Sequence, residues 1–127
     1  MSWILACDDQ AHITRLLQLT LSRTGWEVCT AANGEAGWEL LSERETPNLI
    51  ITDMQMPRLD GLGLCRRIHA DLRLRHVPLI LLTARGFELS ADALRQEFGI
   101  TTVLVKPFSP RQVLASVMEL STELVVN

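Results

Sequence analysis

Residues 49–64 read LIITDMQMPRLDGLGL. Leu49 to Thr52 are all apolar or β-branched, which is the composition of a short strand covered on both faces. That run meets a carboxylate, Asp53, and then the turn residues Pro57 and Gly61. A charged residue at the end of a buried strand makes sense if the strand's carboxyl end opens onto a site. The same design recurs on either side. Trp3 to Cys7 (WILAC) ends in Asp8 and Asp9, Pro78 to Leu82 (PLILL) ends in Thr83, and Thr102 to Val105 meets Lys106 and Pro107. Trp26 to Ala31 (WEVCTA) alternates as a further strand.

Helical periods fill the gaps. Ile13, Leu16, Leu17, Thr20 and Leu21 recur at i, i+3, i+4, i+7 and i+8, with Gly25 as the stop. Asn33 is placed to cap GEAGWELLSER, and Pro47 falls in the loop before the next strand. A third helix is predicted from Leu62 to about Asp71 with Cys65, Ile68 and Leu72 on one face, and a fourth from Leu89 to Phe98, closed by Gly99. The last opens with Ser109, Pro110 and Gln112 in a capping-box pattern and buries Val113, Val117 and Leu120. Strands alternating with helices predict an α/β fold: a five-stranded parallel sheet of uniformly apolar strands with helices on both faces. In such sheets ligands bind outside the carboxyl ends of the strands, so Asp8, Asp9, Asp53, Thr83 and Lys106 should converge at one edge.

Composition bounds the rest. The 127 residues are 47% hydrophobic and 21% charged, which suits one globular domain over 1–127. No apolar run approaches the roughly 18 residues of a membrane span, and MSWILACDD has no basic start, so neither a membrane partner nor a signal peptide is expected and the cytoplasm is the expected location. Cys7, Cys29 and Cys65 lack metal-ligand spacing and read as buried core thiols. The net charge of -3 argues against direct nucleic-acid binding, and the arginines at 58, 66, 67, 73, 75 and 85 read as a solvated face. Eleven of the twelve basic residues are arginine; the one lysine is Lys106.

Three carboxylates at one edge repel each other, so one of them should have a raised pKa, or the group should attract a cation. Magnesium suits oxygen ligands shared with a phosphate. Asp53 at the end of a rigid strand can then act as a nucleophile on phosphorus, with Lys106 as a compact charge and Thr83 as a hydroxyl donor for the phosphoryl oxygens. Each residue has a plain alternative: a loop acid for Asp53, helix-end charges for Asp8 and Asp9, a turn residue for Thr83, a compositional accident for Lys106. Agreement at four strand ends at once is what favours the site.

The motifs ILACDD, IITDMQMPRLDG, LLTA and VLVKPF, in this order and spacing, resemble the receiver domain of bacterial two-component response regulators over essentially the whole chain. The resemblance implies a flavodoxin-like (βα)5 fold with strand order 2-1-3-4-5 and a signalling module, not an enzyme acting on external substrates. It makes Asp53 the phosphoacceptor, Asp9 a direct magnesium ligand, Asp8 a ligand largely through water, and the Gln55 backbone carbonyl a further ligand. Thr83 and Lys106 would hold phosphoryl oxygens, and Lys106-Pro107 matches a bond often cis in the family. The implied partners are a histidine kinase or histidine phosphotransfer protein, met near His12, Arg15 and Gln18, and a downstream effector. Two other readings stand beside it. One is a degenerate receiver that docks without phosphorylation; the other is an aspartyl phosphatase, which would need an acid where Gln55 stands. The chain departs from the family pattern at Val103, where an aromatic switch is usual, at Thr101 and Thr102, where acids are frequent, and at Gln10, where a further acid is common. With no ring to move at Val103, a signal is expected to run through the backbone from Thr83 to Phe87 and the fourth helix.

Overall fold

A computed structural model describes residues 2–84 and 89–120. Its strands are β1 (Trp3–Cys7), β2 (Glu27–Ala31), β3 (Leu49–Asp53), β4 (Leu79–Thr83) and β5 (Thr102–Val105). They alternate with helices α1 (Ala11–Leu21), α2 (Gly34–Glu43), α3 (Gly61–Ala70), α4 (Ala91–Phe98) and α5 (Pro110–Leu120). All four strand pairings are parallel and the order is β2-β1-β3-β4-β5. The parallel sheet is the one that the alternation of strands and helices predicts, and its order is the flavodoxin-like one that the receiver resemblance implies.

Side chains alternate across each strand, and the alternation divides the core. Trp3, Leu5, Cys7, Leu79 and Leu81 join Leu41, Leu64, Ile68, Leu94 and Phe98 beneath α2, α3 and α4. Ile4, Ala6, Ile51, Ile80 and Leu82 join Leu17, Leu21, Val113 and Val117 beneath α1 and α5. Every residue of β1, β3 and β4 is buried, whereas β2 and β5 are partly exposed. Full burial therefore holds for the central three strands alone, because an edge strand has a neighbour on one side only. Each buried leucine or isoleucine contributes about 1.5–3 kcal/mol of transfer free energy.

Local signals place the helix ends. Asn33 Oδ1 accepts from the Ala36 amide at 2.8 Å, and Ser109 and Gln112 exchange side-chain-to-backbone bonds at 3.1 and 2.8 Å, the predicted capping box. Asp60 caps α3 and Ser90 caps α4, so α3 begins at Gly61 and α4 at Ala91, later than the Leu89 expected. Ser90 was hidden by Leu89, which reads as a helix residue but stands outside it, 42% exposed. Leu72 likewise falls beyond α3 and is 80% exposed, because the helix stops at Ala70 and the chain turns on Asp71. Cys7 and Cys65 are buried as expected, but Cys29 is half-buried on the edge strand. Leu120 is also half-buried.

Candidate phosphoacceptor site

The order β2-β1-β3-β4 sends the connection after β1 to one side and the connection after β3 to the other, which opens a crevice at the carboxyl ends of β1 and β3. Asp8 and Asp9 follow β1, and Asp53 is the last residue of β3. Backbone bonds that run one residue beyond the strands lock these positions. The Asp8 amide donates to the Ala31 carbonyl at 3.0 Å, the Met54 amide to the Leu82 carbonyl at 2.9 Å, and the Lys106 amide to the Thr83 carbonyl at 2.8 Å. The site therefore sits on the rigid end of the sheet.

Lys106 Nζ donates to Asp8 Oδ2 at 2.9 Å and lies 3.2 Å from Asp53 Oδ1. Asp8 and Asp53 are buried, and Asp9 is exposed on the rim. One carboxylate oxygen from each of the three aspartates lies within 4.8 Å of the others. A cleft of about 430 Å³ is lined by Asp9, Gln10, Asp53, Met54, Gln55 and Lys106, among others. Thr83 is buried behind it, with its hydroxyl within reach of the Ala84 carbonyl at 3.2 Å and of Met54 Sδ at 3.8 Å. The structure thus brings Asp8, Asp9, Asp53 and Lys106 into one cluster and puts Gln55 on its wall. Among the described residues the Thr83 hydroxyl bonds to Ala84 and Met54 and to none of the carboxylates. The Lys106-Pro107 bond is cis. Of the segment from Thr83 to Phe87, residues 85–87 lie outside the described residues.

Burial, and then the charge of Asp8, raise the Asp53 pKa against the opposing pull of Lys106. Burial would lower Lys106, but its bonds and charge contacts with Asp8 and Asp53 outweigh that and raise it. Three carboxylates against one ammonium leave two negative charges, the complement of a divalent cation. An oxygen-only donor set of this kind suits a hard divalent cation such as magnesium, which Asp8, Asp9 and Asp53 would hold. Among the described residues this is a carboxylate cluster suited to magnesium.

Two neighbours were not assigned by the sequence. Gln10 accepts from Lys106 Nζ through Oε1 at 3.1 Å, and Met54 supplies the sulfur beside Thr83. The expected kinase-facing residues His12, Arg15 and Gln18 are exposed on α1. Next to them, a second cleft of about 430 Å³ runs between α1 and the segment that joins β5 to α5, lined by Ile13, Leu16, Pro107 and Phe108, among others. Arg58, Arg66, Arg67, Arg73 and Arg75 are exposed as a solvated face requires, and three of them also have partners. Arg66 pairs with Glu97 and lies over Phe98, Arg67 pairs with Glu35, and Arg73 donates to the Leu41 carbonyl. No helix among the described residues is long and apolar enough to cross a membrane.

A family model described as response regulator receiver domain matches residues 4–118. The chain is 40% identical over 114 residues to the probable transcriptional regulator ycf27 of Porphyridium aerugineum, covering 90% of this chain and 45% of that protein. It is 36% identical over 118 residues to the chemotaxis protein CheY1 of Helicobacter pylori, covering 91% and 93%. The solved structure of the chemotaxis protein CheY4 of Vibrio cholerae superposes with a TM-score of 0.84 at 26% identity, covering 95% of this chain and 99% of that one. The chain thus spans less than half the length of the transcriptional regulator and nearly all of the chemotaxis proteins.

Proposed function

The chain belongs to the response regulator receiver domain family, and from that premise we propose that residues 1–127 form one phosphoacceptor module in which Asp53 takes a phosphoryl group from a phosphohistidine. The donor is a histidine kinase or a histidine phosphotransfer protein. A carboxylate oxygen of Asp53 attacks phosphorus, the P–N bond breaks, and the imidazole leaves with the bonding pair. The product is an acyl phosphate, and water later returns it to carboxylate and inorganic phosphate. The observation that supports this reading is the cluster itself: Asp53 at a strand end, flanked by Asp8 and Asp9, with Lys106 Nζ at 3.2 Å.

Asp9, Asp53 and the Gln55 backbone carbonyl would hold magnesium directly, and Asp8 largely through water; when bound, the ion supplies charge neutralisation for the phosphoryl oxygens. Lys106 adds a second positive charge on the other side, and Thr83 turns its hydroxyl from Met54 and Ala84 to a phosphoryl oxygen. Gln55 has no labile proton at neutral pH, so this chain promotes its own phosphorylation and dephosphorylation without turning over external esters. The donor protein meets the exposed start of α1 around His12, Arg15 and Gln18, and the phosphorylated face is read by a downstream effector. Neither nucleic acid nor membrane is a direct partner of this domain, and its place is the cytoplasm.

The test is intact-mass analysis after incubation with acetyl phosphate and magnesium, comparing the wild type with Asp53→Asn. The wild type should gain one phosphoryl mass, lost in acid or base, and the variant none. An adduct of similar yield in the variant would place the acceptor elsewhere. No adduct in the wild type would favour a docking domain that works without phosphorylation.

A further inference from the structure

We propose that Gln10 is a positioning residue for this site, whose side-chain carbonyl holds the Lys106 ammonium across the mouth of the cleft. The inference rests on the phosphoacceptor reading of Asp53 and assigns a role to a residue outside the acid, threonine and lysine set. Gln10 is the N-cap of α1, yet its side chain makes no capping bond to the helix. Good N-caps are short, because their oxygen must fold back on the helix amides. Here the longer side chain reaches instead to Lys106 Nζ, 96 positions away in sequence, at 3.1 Å.

The backbone from which this side chain reaches is itself held. The Gln10 amide donates to Asp8 Oδ1 at 2.9 Å, and its carbonyl accepts from Ile13 and Thr14 at 3.0 and 3.2 Å. Lys106 Nζ therefore donates to Asp8 Oδ2 and Gln10 Oε1 at 2.9 and 3.1 Å and pairs with Asp53 Oδ1 at 3.2 Å. Asp8 and Gln10 between them fix where the ammonium sits relative to the attacking carboxylate. A lysine is a flexible four-carbon stem with a point charge, so a second fixed acceptor reduces the positions that charge can sample. An amide does this without adding a fourth negative charge to compete with Asp53 for the ammonium. Gln10 and Lys106 also line both the phosphoacceptor cleft and the cleft along α1. A donor protein seated on α1 therefore touches the same pair that sets the lysine.

Because Lys106 is the only lysine in these 127 residues, labelling with ¹⁵N-lysine gives one ammonium signal with no assignment problem. The experiment measures proton exchange of that signal with water, without any phosphodonor, in the wild type, Gln10→Ala and Gln10→Glu. In parallel, the maximal rate of Asp53 labelling by acetyl phosphate and its half-saturating magnesium are recorded. Losing one acceptor on a partly exposed ammonium should speed exchange roughly three- to tenfold. The maximal labelling rate should fall by a similar factor while half-saturating magnesium stays put. Gln10→Glu keeps an acceptor of the same length and should restore slow exchange. Unchanged exchange in Gln10→Ala, or a Gln10→Glu that exchanges as fast as the alanine variant, would overturn the proposal. Failure of the wild type to label at all would sink the phosphoacceptor reading instead, since exchange at Lys106 is read independently of it.

Discussion

Gly61 lies flat against the backbone of Asp53: a Cβ at position 61 would overlap the Asp53 carbonyl oxygen and sit 2.8 Å from the Asp53 carbonyl carbon and 2.9 Å from the Met54 α-carbon. The Gly61 amide donates to the Met54 carbonyl at 2.9 Å, so the first residue of α3 is clamped beneath the end of β3. The atoms in the way are backbone, which cannot swing aside as a side chain can. Gly61→Ala should therefore destabilise the fold by about 1–3 kcal/mol, the usual range for overpacking. It should also displace the acceptor. A urea unfolding midpoint measured beside the labelling rate of Asp53 checks both, and a variant as stable and as reactive as wild type would show that the clamp yields.

The raised pKa of Asp53 carries a pH dependence. Burial is its largest cause and the Asp8 charge the next. A carboxyl whose folded pKa exceeds its unfolded one weakens the fold above the folded value, and the penalty disappears below the ordinary value of 3.8. Asp53→Asn should thus be more stable than wild type near neutral pH in the presence of a chelator. That advantage should shrink as pH falls through the raised value and vanish in acid. Magnesium at neutral pH should narrow it too, since an ion bound only by the folded state stabilises the wild type more. Chemical denaturation across pH, with and without magnesium, tests this; an advantage that persists unchanged in acid would mean the gain is unrelated to charge.

What the sequence showed and what it hid have physical causes. Asp8, Asp9, Asp53 and Lys106 were legible because each ends a strand, and parallel strands bring their carboxyl ends together whatever the order. Gln10 and Met54 were not legible, since their roles depend on where flexible side chains turn after the backbone is placed. Gln10 sits one position beyond the paired acids and carries no charge, and only the fold brings Lys106 to it. Leu72 and Leu89 misled for the opposite reason. Their apolar character fits a helical period, but Asp71 and Ser90 outcompete it by bonding nearby amides at 2.8 and 3.1 Å. Cys29 reads like the other thiols, yet its strand lies at the sheet edge beside Arg44.

Two glycines form a matched pair. Gly25 has φ +84° and open space, with nothing within 4 Å of where a Cβ would stand, whereas Gly99 has φ +70° and a Cβ there would lie 2.7 Å from His69 Nδ1. Both incur the left-handed backbone cost on substitution by alanine, about 1–2 kcal/mol. Gly99→Ala should lose more, because the α3 histidine must also move. The double variant Gly99→Ala, His69→Ala should bring the loss attributable to Gly99→Ala down to that of Gly25→Ala. Equal losses for the two single variants would show that His69 gives way freely.

The final expectation concerns how phosphorylation would reach a partner. Replacing a carboxylate by a group of about -2 charge with three acceptor oxygens offers the Thr83 hydroxyl a stronger acceptor than the Ala84 carbonyl or the Met54 sulfur it now reaches. Movement of Thr83 pulls on Ala84 and the chain leading to α4. Where the receiver resemblance implies an aromatic switch, this chain has Val103, half-buried and stiff at χ1. Beside it lies a cleft of about 220 Å³ lined by Ala91, Leu94, Arg95 and Ile100, among others, which leaves α4 room to shift over β5. A partner responds only to a difference between the two states, so that difference should sit where the backbone moves. Adding beryllofluoride and magnesium, a phosphoryl mimic, should concentrate amide chemical-shift and hydrogen-exchange changes at Met54, in residues 83–92 and along α4, with little at Thr102 to Val105. Large changes centred on Val103 with a quiet α4 would mean that β5 carries the signal without an aromatic residue.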